Sequence, residues 1–230
     1  VAKQPSQKPK LGAQRGKKLH SIAEQFLLTA PADADETFIE FSERAGLWEH
    51  DLRHGIRSAN TNDDLRDLRA QYHDPSVAID ILVEQEFSME PVFMGFIDLI
   101  VLDRRDSDLK VTIHDHKFMA NKSSVPHLDV AKTDYQTVIY AKAAIEFFSL
   151  DSVTFSYDFY GTKYKWKEIL QFTLTRSEID AIWLSVLGDT AKTLDNYKVP
   201  CGQHTTPNYF SCQNYGGCDY KDICFGEQKK

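Results

Sequence analysis

Several absences narrow this chain before any of its residues is given a role. No apolar run approaches the roughly 20 residues that a helix needs to cross a bilayer, because the most apolar stretch, Val92 to Leu102, carries Asp98 in its middle. No membrane partner is therefore expected. The lysine-rich start lacks the apolar block and cleavage site of a secretory signal, so the expected location is the cytoplasm, although the first residue is Val1 and upstream residues could have been removed. No G-x-x-x-x-G-K-[ST] sequence occurs, which excludes a built-in nucleotide-driven motor. Positive charge is in deficit, with 27 Lys and Arg against 34 Asp and Glu and a net charge of -7, which excludes a uniformly basic nucleic-acid coat. There is no internal repeat, and no cysteine in the first 200 residues.

What is present fits a folded chain with a full core: 230 residues, 42% hydrophobic and 27% charged, with a mean hydropathy of -0.43. That composition excludes a disordered tail or a disulfide-stapled miniprotein. The charges are segregated. Lys3, Lys8, Lys10, Arg15, Lys17 and Lys18 all precede the first acidic residue, Glu24, whereas Asp33 to Asp74 is rich in Asp and Glu. A basic arm on an acidic body can meet a polyanion locally, or it can be a solvated, frayed terminus.

All four cysteines, Cys201, Cys212, Cys218 and Cys224, fall in the last 30 residues. With no secretory signal, a metal centre is the better reading than two disulfides. The spacing C-x10-C-x5-C-x5-C lacks the tight C-x2-C knuckles of common structural zinc sites. Four thiolates also suit an iron–sulfur cluster, while His204 keeps a Cys3His zinc site open.

Hydrophobic periodicity supplies the organisation. Leu19, Ile22, Ala23, Phe26 and Leu27 form the stripe of an amphipathic helix, with His20 beside it. A second helical stretch is expected from Thr37 to His54, carrying Phe38, Phe41, Ala45, Trp48 and Leu52, and a polar helix or loop follows through Leu65 and Leu68. Alternation at Val77 to Val83, the dense run Phe93 to Leu102, and alternation at Val111 to Phe118 predict three strands; the short charged link between the last two predicts an antiparallel hairpin. Next come a helix at Val130 to Leu150, strands at Ser152 to Tyr160 and Glu168 to Leu174, and a last helix at Ser177 to Asn196 with a Thr175–Glu178 capping box. This order describes one α/β domain: a basic arm (1–14), N-terminal helices (15–75), a core (76–196) and a cysteine tail (197–230).

The strands carry the chemistry. Phe96, Asp98 and Ile100 share one face of the second strand, which sets an ionisable group into a buried element. A lone buried carboxylate costs several kcal/mol unless it is paired, protonated or metal-bound. On the third strand Val111, Ile113, Asp115 and Lys117 share a face, and a hairpin brings Asp115 across from Asp98. A hard divalent cation between two carboxylates turns their repulsion into attraction, and carboxylates are what Mg2+ or Mn2+ prefer. Lys117 beside them completes a hydrolytic site for phosphodiesters, since an ammonium can orient water and stabilise charge growing on phosphorus. D-x-K occurs three times in the chain, at Asp108, Asp115 and Asp219, and only Asp115–Lys117 stands in an alternating strand that follows an inward Asp. A buried Asp–Lys ion pair is the structural alternative.

Gly95-Phe96-Ile97-Asp98 followed by Asp115-His116-Lys117 resembles the G-x-x-D and D-x-K signature of the PD-(D/E)xK nuclease superfamily. Gln136 and Tyr140, four apart on the following helix, resemble the Q-x-x-x-Y motif of its RecB-like branch. The segment Gly16 to Glu24 is similar to that branch's N-terminal helix motif, in which a histidine, here His20, binds metal. The resemblance spans about residues 15 to 224. It implies a restriction-endonuclease-like fold, with a central mixed β-sheet flanked by helices and a C-terminal cysteine staple. It also implies a Mg- or Mn-dependent deoxyribonuclease, an exonuclease on single-stranded DNA above all. On that resemblance His20, Asp98, Asp115 and the backbone carbonyl of His116 bind one or two ions, Lys117 positions water, and Gln136 and Tyr140 hold the strand. Glu84, preferred over Glu86, adds an acid from the first strand. A cysteine cluster holding [4Fe–4S] is found in the similar CRISPR-associated exonucleases and AddB-type nucleases. There one cysteine precedes the core, whereas here all four follow it. Partners implied are DNA and a helicase, recombination or CRISPR protein.

Two other readings compete. The nuclease fold can be retained as a silent nucleic-acid-binding or assembly module. His114 and His116, on the opposite face of the third strand, can seed a zinc hydrolase site, although no third ligand is evident near them in the sequence.

Overall fold

A computed structural model describes residues 11–33, 35–89, 93–106 and 108–197. The cysteine segment, with its iron–sulfur or zinc reading, and the first ten residues lie outside them. The described chain runs α1 (Leu11–Leu28), α2 (Phe38–Arg44), α3 (Arg53–Ala59), α4 (Asp63–His73), β1 (Ile79–Met89), β2 (Phe93–Asp103), β3 (Lys110–Met119), α5 (Leu128–Thr133), α6 (Tyr135–Phe148), β4 (Ser152–Gly161), β5 (Lys167–Thr175) and α7 (Arg176–Tyr197). It divides into two compact units, 1–180 and 181–230, and everything described below lies in the first.

Leu19, Ile22, Ala23, Phe26 and Leu27 of α1 are all buried, as their spacing predicts, and they form one cluster with Phe38, Phe41, Ile56 and Leu65 of α2 to α4. Ile79, Ile81, Leu99, Val101 and Tyr160 close that cluster from one face of the sheet. α1 begins at Leu11, inside the segment expected to be a free basic arm. Two of that segment's neighbouring cations are anchored, Arg15 to Asp51 and Lys18 to Glu49, each at 2.8 Å.

Two expected long helices are broken, each for a local reason. The 37–54 stretch stops at Arg44 because Gly46, at φ +69°, turns the chain left-handed. The Gly46 N–H then reaches the Glu43 carbonyl (3.1 Å) and the Leu47 N–H the Ser42 carbonyl (2.8 Å), satisfying the helix end. The 130–150 stretch breaks at Asp134, which leaves the helical region and caps α6 by accepting from the Gln136 N–H at 2.9 Å. Gln136 is thereby placed in the first turn of a new helix.

The five strands lie in the order β1-β2-β3-β4-β5. β1, β2 and β3 form an antiparallel meander, α5 and α6 make the crossover to a parallel β4, and β5 returns antiparallel. The ladders end unevenly. β1 stays paired to β2 as far as Met89↔Phe93, whereas β2 leaves β3 after Leu99↔His114. The β1–β2 ribbon therefore parts from β3, and a fork opens between residue 98 on one side and residues 115–117 on the other.

Candidate active site in the strand fork

The fork frees backbone groups that a continuous ladder would have used, and charged side chains take them up. The His116 N–H donates to Asp98 Oδ2 at 3.3 Å, and His20 of α1 brings Nε2 against the His116 carbonyl and 3.5 Å from Asp98 Oδ2. The register that pairs Leu99 with His114 sets Asp98 and Asp115 opposite one another at the mouth of the fork. Asp115 is 1% exposed, and neither carboxylate oxygen has a hydrogen bond among the described residues, although Lys117 Nζ stands 2.8 Å from Oδ2.

Glu84 reaches the same place through an unusual backbone. It lies across from Asp98 at the one position where the β1–β2 ladder skips a pair, with φ at +48°. A non-glycine residue there is strained by an amount of order 1 kcal/mol, and the change of direction re-aims its side chain. Carboxylate atoms of Glu84 and Asp98 and a ring nitrogen of His20 all lie within 4.8 Å of one another. That spacing matches ligand atoms spread around one ion at about 2.0–2.3 Å. Glu86 is exposed and lies outside this group.

Electrostatics give the donor set its sign. Burial, then the charge of Asp115, push Asp98 up to about 8, against the opposing pull of Lys117. Glu24, one helical turn beyond His20, is raised by burial and by Glu84. Acidic groups are crowded here faster than Lys117 can compensate, and a divalent cation reverses each of these repulsions. The buried, unbonded oxygens of Asp115 and the mixed carboxylate–imidazole donors fit such an ion.

Lys117 is held by a relay. Its ammonium donates to Gln136 Oε1 at 2.9 Å, and Gln136 Nε2 donates to the Tyr140 hydroxyl at 3.1 Å, the two residues sharing a face of α6. Tyr157 lies beneath, its ring centroid 5.8 Å from Lys117 Nζ and its hydroxyl 2.7 Å from Thr137 Oγ1. Tyr140 is braced from the other side by the edge of Phe87, at 5.6 Å between ring centroids. Phe87 pairs with Gly95, where an added Cβ would come within 3.2 Å of its ring. The glycine of the G-x-x-D segment thus leaves room for the residue that supports Tyr140.

The opposite face of β3 holds a separate cluster. His114 Nδ1 is 3.0 Å and His116 Nδ1 3.5 Å from Asp158 Oδ2, and Ser156 Oγ donates to Asp158 Oδ1 at 2.7 Å. Sequence spacing gave no third partner for the H-x-H pair; the parallel β4 provides a carboxylate. Burial lowers His116 to about 4. Burial would raise Asp158, but His114, His116 and Ser156 outweigh it and hold the acid below its usual range. Among the described residues the only group of three potential ligands within coordinating distance is His20, Glu84 and Asp98, so the zinc reading gains no support from this face.

Sequence reasoning passed over Glu24, and weighed Tyr157 only as one of several aromatics that could stack on bases, with core packing preferred. Glu24 had a signal, four residues after His20 on the same helix. Nothing in the sequence placed Tyr157 beside Lys117, because that nearness depends on the β3–β4 pairing.

A family model described as the PD-(D/E)XK nuclease superfamily matches residues 2–225. Among solved structures, the crystal structure of SSO0001 aligns over 93% of this chain and 96% of its own, at 11% identity and a TM-score of 0.34. No curated protein matches the chain.

Proposed function

The chain belongs to the PD-(D/E)XK nuclease superfamily, and from that premise we propose that it is a Mg2+- or Mn2+-dependent deoxyribonuclease of the RecB-like branch, acting as an exonuclease on single-stranded DNA. The observation that carries this reading is the unbalanced charge of the fork, where Asp98, Asp115 and Glu84 face Lys117. A structural ion pair would need one acid for the lysine.

His20, Glu84, Asp98, Asp115 and the His116 carbonyl would hold the ion or ions. A divalent cation bound there would acidify water and take up charge growing on phosphorus. The chain's own contribution is orientation. Lys117, fixed between Asp115 and Gln136, presents its ammonium to the attacking water and to the developing oxyanion. Gln136 and Tyr140 keep that ammonium from collapsing wholly onto Asp115, and the tyrosine hydroxyl remains in reach of a phosphate. The four C-terminal cysteines would carry a [4Fe–4S] cluster that staples the tail. Iron and sulfide analysis with a visible absorption spectrum tests this, and stoichiometric zinc instead would replace it.

The deciding experiment is degradation of end-labelled linear and circular single-stranded DNA with Mg2+, Mn2+ or EDTA, comparing wild type with Lys117→Ala. The expected result is metal-dependent loss of linear DNA that the variant lacks. Cutting of circles would make it an endonuclease, and inert wild type that still binds DNA would make it a binding module.

A further inference from the structure

We propose that the β4–β5 hairpin tip, Thr162–Trp166, is a grip for single-stranded nucleic acid, with Tyr164 stacking on an unpaired base and Lys163 and Lys165 meeting the flanking phosphates. The proposal rests on the nuclease reading for its substrate class and adds the element that seats the strand.

The first observation is composition. Lysine and aromatic residues alternate through Lys163, Tyr164, Lys165, Trp166 and Lys167, a local excess of positive charge on an acidic chain. The nearest acid, Glu168, is engaged by Lys122 at 2.7 Å. Neither Lys163 nor Lys165 forms an ion pair with a described residue, and Lys163 Nζ sits over the Tyr164 ring, 5.6 Å from its centroid.

The second is exposure. β4 is rich in aromatics, and the fold buries them: Tyr157, Phe159 and Tyr160 are 4% exposed or less. Tyr164 is left at 64% exposed. Core packing therefore accounts for its neighbours and leaves Tyr164 unexplained. A flat aromatic face among lysines is the sequence-tolerant platform that binds unpaired bases; a duplex, whose bases already stack on each other, offers it no such surface.

The third is rigidity and position. The Gly161 N–H donates to the Trp166 carbonyl at 2.9 Å, closing the tip, and an added Cβ at Gly161 would lie 2.1 Å from the Tyr164 carbonyl and 2.5 Å from the Trp166 ring. Ser58 Oγ lies 2.9 Å from the Gly161 carbonyl and accepts from the Trp166 N–H at 3.3 Å, tying the tip to α3. The Thr162 N–H donates to the Met119 carbonyl at 2.8 Å, two residues beyond Lys117 on the adjacent parallel strand. At about 3.3 Å per strand residue, the tip stands a short length of strand from the fork. A platform that is already ordered loses little entropy when a base docks.

The test is fluorescence anisotropy in EDTA with a labelled oligothymidylate and with a hairpin duplex, using wild type, Tyr164→Ala, Tyr164→Phe and Lys163→Ala/Lys165→Ala. Tyr164→Ala is expected to weaken single-strand binding on the order of tenfold. Tyr164→Phe should restore it to within about twofold, and the duplex should respond to neither change. The lysine pair should weaken binding and lower its salt dependence. Circular dichroism and Mn2+ titration report whether each variant keeps its fold and its metal site. Unchanged single-strand affinity in Tyr164→Ala overturns the grip even where wild type cleaves DNA and Lys117→Ala does not. A wild type that neither binds nor cuts overturns the nuclease reading itself.

Discussion

Two carboxylates of this molecule, one buried and one half-buried, are displaced in opposite directions. Glu36, in the helical layer, is held down to about 2, chiefly by its hydrogen bond to Arg44 and against the opposing effect of burial, with further help from the Ala32 N–H and Arg69. Asp98, in the fork, is driven up to about 8 because burial and Asp115 act together and only Lys117 resists. The difference lies in the company each keeps. Two guanidiniums converge on Glu36 at 2.6–2.9 Å, and the Arg69 guanidinium also lies over the rings of Phe26 and Phe41. At the fork three acids share one ammonium. The first cluster is balanced by its own arginines, whereas the second holds more acids than the one ammonium beside it can match.

That contrast can be broken from either side. The largest effect is expected from Lys117→Ala, which should lower metal-dependent cleavage on the order of a thousandfold or more while DNA binding in EDTA persists. Next comes Glu36→Ala, which strands Arg69 in the core and should cost about 3–5 kcal/mol in urea or guanidinium unfolding. At the fork the sign should reverse: Asp98→Asn in EDTA removes a repulsion and should leave thermal stability equal or higher. Wild type should gain stability from Mn2+, about 2.7 kcal/mol at a hundred times the dissociation constant, and Asp98→Asn should gain much less. Differential scanning fluorimetry with and without Mn2+ reads both. Gln136→Ala and Tyr140→Phe, which loosen Lys117 without removing it, should each lower kcat/KM about tenfold.

The smallest effect is on the acid limb of stability. The folded value for Glu36, about 2, lies below its ordinary 4.5, so its contribution is present above about 4.5 and is lost as pH falls toward 2. Melting temperature followed over that window should fall less steeply in Glu36→Gln than in wild type. An equal slope would mean that the arginines do not discriminate the ionised acid.

Much of the site was legible because its parts are periodic. Asp115 and Lys117 continue the strand face of the core residues Val111 and Ile113, His20 borders the α1 stripe, and Gln136 and Tyr140 are one turn apart. Each of these placements follows from the repeat of a strand or helix. Helix ends were less legible. Gly46 and Asp134 carried the signals, but hydrophobic residues continue past both, and the apolar pattern hides a break that capping decides.

The sequence by itself determined the elements, their buried faces and the short list of ionisable residues set among apolar ones, because those depend on neighbours within a few residues. Tertiary structure alone decided the company of each charge. Whether a buried acid meets two arginines, a histidine pair or other acids depends on which strands part, where a ladder skips a pair at Glu84, and how α1 reaches over to β3. Such long-range pairings are settled by the packing of whole elements, and no local pattern records them.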